Sequence, residues 1–199
     1  MNEALRTALA ARRTYYKIGP DSPVADAEVE KLVEFALLNT PSPFNSQSGR
    51  VVLLLGDNHR KLWDLILGKL RAGMAAEKFP PTANKIAGFA AGHGSLLFYD
   101  DQAAVEKLQR DMPAYRDAFP VYSSQSAGML QLMVWTLLRD AGIGASLQHY
   151  GNLIEAEAAE AWGVPPSWRL LAQMPFGAIQ AEPGPKKQTP LPERLKVFR

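Results

Sequence analysis

The chain contains no cysteine in 199 residues. This excludes disulfides, thiolate nucleophiles, iron–sulfur ligation and cysteine zinc sites, so any redox chemistry has to be carried by a bound cofactor. Long apolar runs are also missing. No stretch approaches the roughly 20 apolar residues of a membrane span, and the opening MNEALRTALAARR breaks its apolar pattern with charged residues where a signal peptide is continuous. A cytoplasmic protein with no membrane partner is expected. Charge of one sign is scarce as well: 22 Lys and Arg against 20 Asp and Glu leave a formal +2 with no long basic block. Nucleic acid is therefore not the expected partner. No G-x-G-x-x-G follows a strand pattern, which argues against a Rossmann nicotinamide site. The three histidines share no metal-ligand spacing, and no metal site is expected.

What is present is the composition of one globular core. With 47% hydrophobic and 21% charged residues and no internal repeat, residues 1–199 read as a single domain. Leu5, Ala8 and Leu9 recur at helical spacing and lead into Arg12 and Arg13. Lys17 to Pro23 reads as a turn. Asp26 is placed to cap a helix with the face Val29, Leu32, Val33, Ala36 and Leu37, ending near Asn39. The loop TPSPFNSQSG then feeds Val51 to Leu55, a buried strand. A helix through Leu62, Leu65, Ile66 and Leu70 follows, with His59 exposed near its start. Next come a Pro-bounded loop at Phe79 to Pro81, a strand at Ser95 to Tyr99 and a helix started by Asp100-Asp101. His93, between two glycines, reads as structural.

The most apolar helix is expected over about Ser124 to Ala141, with Met129, Leu132, Met133, Thr136 and Leu137 inward and Gly142 as a left-handed stop. Beyond GIGASLQHYGNL, a helix from Ile154 to Trp162 ends at Gly163. Leu170 to Met174 and Phe176 to Ile179 supply a strand or strand pair. The last 20 residues are Pro-rich and charged, with an apolar tip at Leu195, Val197 and Phe198.

Four features carry chemistry. Taken singly, each has an ordinary reading. Arg12-Arg13-Thr14 is equally a solvated helix end, the loop Ser42 to Gln47 a turn, His149 a half-buried histidine and Lys186-Lys187 a solvated tail. Taken together, two basic clusters with a threonine hydroxyl suit a terminal phosphate, and an Asn/Gln/Ser loop suits the polar edge of a flat heterocycle. FMN has both parts.

The strings ARRTYYKI, TPSPFNSQSGRVVLLLG and GASLQHY occur in that order. They resemble the nitroreductase family, in its fatty-acid-repression-mutant-like branch, from about Arg12 to the PLPERLKVF ending. The resemblance implies an α+β fold, with a central mostly antiparallel sheet flanked by helices and a C-terminal tail exchanged in a homodimer that has FMN at the interface. It implies that Arg12, Arg13, Thr14 and Tyr16 hold the FMN phosphate and ribityl chain, although Tyr16 stands where the family motif has a basic residue. Pro41, Ser42, Pro43, Asn45 and Gln47 would reach the flavin from the other subunit. Gln148 and His149 would lie beside the ring, and Lys186 and Lys187 would meet the phosphate. Gly151 stands where the branch carries Asn. Asn84 and Lys85 have only approximate spacing toward the flavin's polar edge.

The activity so implied is ping-pong electron transfer from NADH or NADPH to nitroaromatic, quinone or similar small acceptors. Flavin N5 would carry the hydride, and no side chain would act as nucleophile or base. The alternative is a non-catalytic flavin-binding regulatory protein tied to lipid or fatty-acid response.

Overall fold

A computed structural model describes residues 3–199. Met1 and Asn2, the first residues of the expected domain, lie outside the described residues. The elements run α1 (Glu3–Ala11), β1 (Ile18–Gly19), α2 (Asp26–Asn39), β2 (Gly49–Leu55), α3 (Gly56–Gly73), α4 (Phe79–Ala90), β3 (Gly94–Asp101), α5 (Gln102–Asp111), α6 (Phe119–Asp140), β4 (Ile143–Ala145), α7 (Gly151–Trp162) and β5 (Trp168–Ile179). The sheet order is β1-β5-β3-β2, with β4 also on β5, and every pairing is antiparallel. This is the α+β arrangement the resemblance implies. No helix of the described residues is long and apolar enough to cross a membrane.

Helices cover both faces of the sheet, so β3 is buried on both sides and its sequence runs apolar without alternation. Leu96 and Phe98 join Ala172, Met174 and Phe176 against Val29 and Val33 of α2 and Leu130, Val134 and Leu138 of α6. Leu97 and Tyr99 point the other way, into Leu62, Trp63 and Ile66 of α3, Ile86 and Phe89 of α4 and Ile154 of α7. Each fully buried side chain of this size contributes about 1.5–3 kcal/mol relative to exposure. Gly142 is the expected left-handed stop of α6 at φ 82°, and Gly163, expected to end α7, does so at φ 63°.

Several expectations need correction. The Pro-bounded loop at Phe79 to Pro81 is the first turn of α4, where proline's missing N–H costs nothing. Likewise α6 begins at Phe119, with Pro120 in its first turn, rather than near Ser124. Its inward stripe is Ala127, Leu130, Val134 and Leu138, whereas Met129 and Leu132 are 43% and 46% exposed. The helix is apolar on more than one face, so hydropathy alone does not fix its rotation. β2 is an edge strand in which only Leu54 is buried. Of the strand or strand pair left open near the end, the chain forms one strand through Pro175, and the turn at Lys17 to Pro23 contains β1.

Both structural histidines are bonded at each nitrogen. His59 is 2% exposed, not exposed as expected. Its Nε2 lies 3.1 Å from the Ala90 carbonyl and its Nδ1 2.9 Å from Ser95 Oγ. A carbonyl only accepts, so Nε2 carries the proton and Nδ1 accepts from the Ser95 hydroxyl, which also receives Trp63 Nε1–H at 2.9 Å. Burial lowers the His59 pKa. His93 donates to Pro20 O at 2.8 Å and to Asp26 Oδ1 at 2.6 Å. Burial pulls its pKa down, but the Asp26 and Pro20 hydrogen bonds and the charges of Asp26 and Asp21 outweigh this, leaving it raised. Asp26 is thereby engaged with His93 and does not cap α2, whose N-cap is Ala25.

The two histidines act on stability with opposite sign. His59 stabilises the fold above its unfolded pKa near 6.5, and that contribution is lost as pH falls through the lowered folded value. The His93 contribution is complete below about 6.5 and is lost as pH rises through its raised folded value. In Tm measured against pH, His59→Gln is expected to flatten the acid-side loss and His93→Gln the loss on the other side. An unchanged acid slope in His59→Gln contradicts the assignment.

Candidate cofactor site

The first basic motif is an extended segment between α1 and β1, held on three sides. Tyr15 is buried; its N–H donates to Ala145 O at 2.9 Å, and its hydroxyl donates to Glu182 Oε2 at 3.3 Å and accepts from Arg139 Nε at 3.1 Å. Arg12 lies over the Trp135 ring, 4.4 Å from its centroid. Arg13 Nη2 donates to Gly184 O at 2.7 Å. The chain leaving β5 therefore passes the motif just before Lys186 and Lys187, which are exposed. Thr14 is half-buried. Within one chain Arg13 thus reaches the tail at Gly184, two residues before Lys186. Among the described residues none of Arg12, Arg13, Lys186 and Lys187 has an ion-pair partner, so their charge is available to an anion.

Tyr16 opens the next part of the site. Together with Lys17 it faces Asn84, Lys85, Gly88 and Phe89 of α4 across a cavity of 250 Å³. Its ring lies 6.1 Å from that of Phe89, and Lys85 Nζ lies 5.6 Å from the same ring. The basic residue that the family motif has at position 16 is absent, yet two lysines, Lys17 and Lys85, line this cavity.

The loop from Pro41 to Gln47 is built differently. Phe44, Asn45 and Gln47 have φ of 51°, 53° and 49°, a region that costs an L-residue roughly 1–2 kcal/mol and suits Asn better than Phe. Pro43–Asn45 forms a single tight turn, and Ser42 Oγ accepts the Gln47 N–H at 2.9 Å. Pro41, Asn45 and Gln47 remain exposed, with Ser42 and Pro43 half-buried. The Phe44 ring is 60% exposed and packs edge-on to Phe119 at 5.7 Å and tilted to Tyr115 at 6.2 Å.

These parts contact different stretches of α6. The loop runs along α6 from Phe119, under its Phe44 tip, to Ser126 and Leu130, which share a pocket with Pro41, Ser42 and Gln47, whereas Arg12 and Tyr15 meet Trp135 and Arg139. Along the helix the loop tip at Phe119 is about 24 Å from Trp135, and the loop base at Leu130 about 8 Å from it. Within one chain the loop and the basic motif are not brought together.

The Gln148-His149 segment lies along β5. Gln148 exchanges main-chain bonds with Gln173 at 2.7 and 2.9 Å, and its buried side chain donates Nε2–H to Ser146 Oγ at 3.1 Å. His149 is the exposed member of the pair. Gly151 follows because a Cβ there would lie 2.6 Å from Leu170 O, which leaves no room for the Asn of the branch.

The nitroreductase family model matches residues 9–178. The chain belongs to the nitroreductase family. Over 181 residues this nitroreductase is 36% identical to nitroreductase FRM2 of Saccharomyces cerevisiae, covering 90% of each chain, in keeping with the fatty-acid-repression-mutant-like branch. Nitroreductase CinD from Lactococcus lactis, solved in complex with nicotinic acid, superposes with a TM-score of 0.92 at 38% identity, covering 98% of this chain and 100% of that one. CinD has also been solved with chloramphenicol and with 4-nitrophenol. An FMN-bound protein from Desulfovibrio desulfuricans shares the fold at a TM-score of 0.69 and 22% identity, covering 100% of this chain and 99% of that one.

In the sequence of this nitroreductase Lys17 carries no sign of this cavity, and Asn84 and Lys85 only an approximate spacing. The missing signal was α4 itself. Once Phe79 to Ala90 is helical, Gly88 lies four residues past Asn84 and three past Lys85, so both border it on the side that faces Tyr16.

Proposed function

We propose that this nitroreductase is an FMN-dependent oxidoreductase in which two copies of the chain form two flavin sites. NADH or NADPH and a nitroaromatic, quinone or similar acceptor would use each flavin in turn. The observation that carries the reading is the separation along α6. The phosphate grip meets α6 at Trp135 and the loop meets it from Leu130 back to Phe119, with its Phe44 tip about 24 Å along the helix, and the two share no contact, which favours a loop supplied by a second copy. The exposed surface agrees. Met129 and Leu132 on α6, and Leu191, Leu195, Val197 and Phe198 on the tail, are large apolar side chains left exposed in the single chain.

The residues present fit the cofactor. Arg12, Arg13, Lys186 and Lys187 would neutralise the phosphate by charge-assisted hydrogen bonds, with Thr14 adding a hydroxyl. Tyr16 with Lys17, Asn84 and Lys85 would line the ring's polar edge, where two ammonium groups favour the negative charge that reduction places there. Pro41, Ser42, Pro43, Asn45 and Gln47 of the second copy would close over the ring. His149 would stand at the ring's side, with Gln148 holding the main chain behind it. The bound flavin supplies reversible two-electron chemistry, so the protein's part is to bind, orient and shape the acceptor's place. Phe44 and Tyr115 offer an exposed aromatic surface on which a flat acceptor stacks. The nicotinic acid and 4-nitrophenol held by CinD are flat molecules of this kind.

The test is retention. Protein mixed with FMN and passed through gel filtration should elute yellow, at about twice the 21.8 kDa chain mass, with one flavin per chain. A colourless protein peak overturns the cofactor; a yellow peak at single-chain mass overturns the shared site.

A further inference from the structure

The strained loop is tied down by two adjacent carboxylates that the proposed chemistry does not use. Asp100 is 1% exposed. Its Oδ1 accepts the Ser123 hydroxyl at 2.5 Å and its Oδ2 accepts Gln102 Nε2–H at 2.8 Å, while the nearest cation, Arg169 Nη2, stands off at 3.9 Å. Ser123 Oγ also lies 3.1 Å from Ser48 Oγ. A hydroxyl has one proton, and that of Ser123 goes to Asp100, so Ser48 is the donor in the second bond. Ser48, itself buried, has its direction set from Asp100, and its carbonyl accepts Asp101 N–H at 2.8 Å. Asp101 Oδ2 accepts Arg50 Nη2–H at 2.9 Å, and the other arm of Arg50 donates to the carbonyls of Gln47 and Gly49.

Gln47 is thus fastened to Asp101 through Arg50, and Ser48 to Asp100 through Ser123 and to Asp101 by its carbonyl, at the end of the stretch holding the left-handed residues Phe44, Asn45 and Gln47. A buried carboxylate without a close cation is a poor way to fill space, since apolar groups of the same shape pack at less cost. What it supplies is geometry. We propose that Asp100 with Ser123, and Asp101 with Arg50, are positioning residues that hold the Pro41 to Gln47 loop in its strained, flavin-reading shape before the flavin arrives. This rests on the reading that the loop faces flavin. Preorganisation of this kind appears as affinity, because a loop already ordered does not lose that freedom on binding.

Two variants test it. Ser123→Ala breaks the Asp100 line; Arg50→Met breaks the Asp101 line while keeping an apolar stem against Trp168, whose ring lies 5.5 Å from the guanidinium. In each folded variant FMN and riboflavin should both bind roughly tenfold more weakly, since one charge-assisted bond is lost and the phosphate grip is untouched. The visible circular dichroism of the bound flavin should change, and in the flavin-free protein amide exchange should quicken at residues 42–48 but not in β3. Wild-type affinity, flavin spectrum and loop exchange in both variants overturn the proposal and leave the flavin reading intact. A lower Tm with unchanged affinity and loop exchange also overturns it, because that is the mark of a merely structural bond. A wild-type protein that takes up no flavin overturns both readings.

Discussion

Replacing Arg12 and Arg13 together by alanine should weaken FMN binding roughly 100- to 10,000-fold. Each guanidinium bond to a phosphate is a charge-assisted bond worth about 1.5–3 kcal/mol, and two such losses combine multiplicatively in the binding constant. Part of the cost falls on the fold itself. Arg12 leaves the Trp135 ring and Arg13 releases Gly184 O, so the tail loses one tie to the first basic motif and Tm should fall modestly. Riboflavin separates the two effects. It carries the ring but no phosphate, and its affinity should change far less than that of FMN. An equal loss for both ligands means that the arginines act through the fold and do not grip phosphate.

The second large effect is expected from the tail. Ending the chain after Gly184 keeps the acceptor for Arg13 but removes Lys186, Lys187 and the exposed Leu191, Leu195, Val197 and Phe198. Phe198 is 90% exposed, so its removal takes nothing from the core of its own chain. If these side chains are buried against a second copy, each contributes about 1.5–3 kcal/mol there. The truncated protein should shift from dimer to monomer at micromolar concentration, with flavin affinity lower by at least roughly tenfold from the lost lysines. A truncated chain that stays dimeric and keeps its flavin shows that the tail is neither exchanged nor part of the phosphate grip.

The fold was legible where one physical signal dominated. The apolar run SLLFY marks β3 because a strand covered on both faces has no polar side to show. Asp101 caps α5 through Ala103 N–H as its place before that helix suggests. Signals that serve two purposes were misread. Pro80 and Pro81 break a helix interior and equally well begin a helix, and only the packing of Ile86 and Phe89 against the sheet decides in favour of α4. The rotation of α6 was invisible because Met129 and Leu132 are as apolar as Leu130 and Val134. His59 was placed in solvent because a lone histidine gives no sign of partners 31 and 36 residues away.

The site divides in the same way. Its short strings were readable, and the convergence of Arg13 with the tail follows them. The fastening of Gln47 and Ser48 by Asp100, Asp101, Ser123 and Arg50 depends on contacts between distant parts of the chain, and serine and aspartate in a sequence do not announce such contacts. Tyr16 is intermediate: the departure from a basic residue was visible, but Lys85 reaches the same cavity only through α4.

The most direct measurement is an anaerobic visible spectrum of the FMN-loaded protein, recorded before and after addition of NADH and then, on a fresh sample, NADPH. The expected result is loss of the oxidised flavin bands with at least one nicotinamide, and their return when 4-nitrophenol or a quinone is added without air. Bound flavin that neither nicotinamide bleaches would contradict an oxidoreductase and leave a flavin-binding regulatory protein in its place.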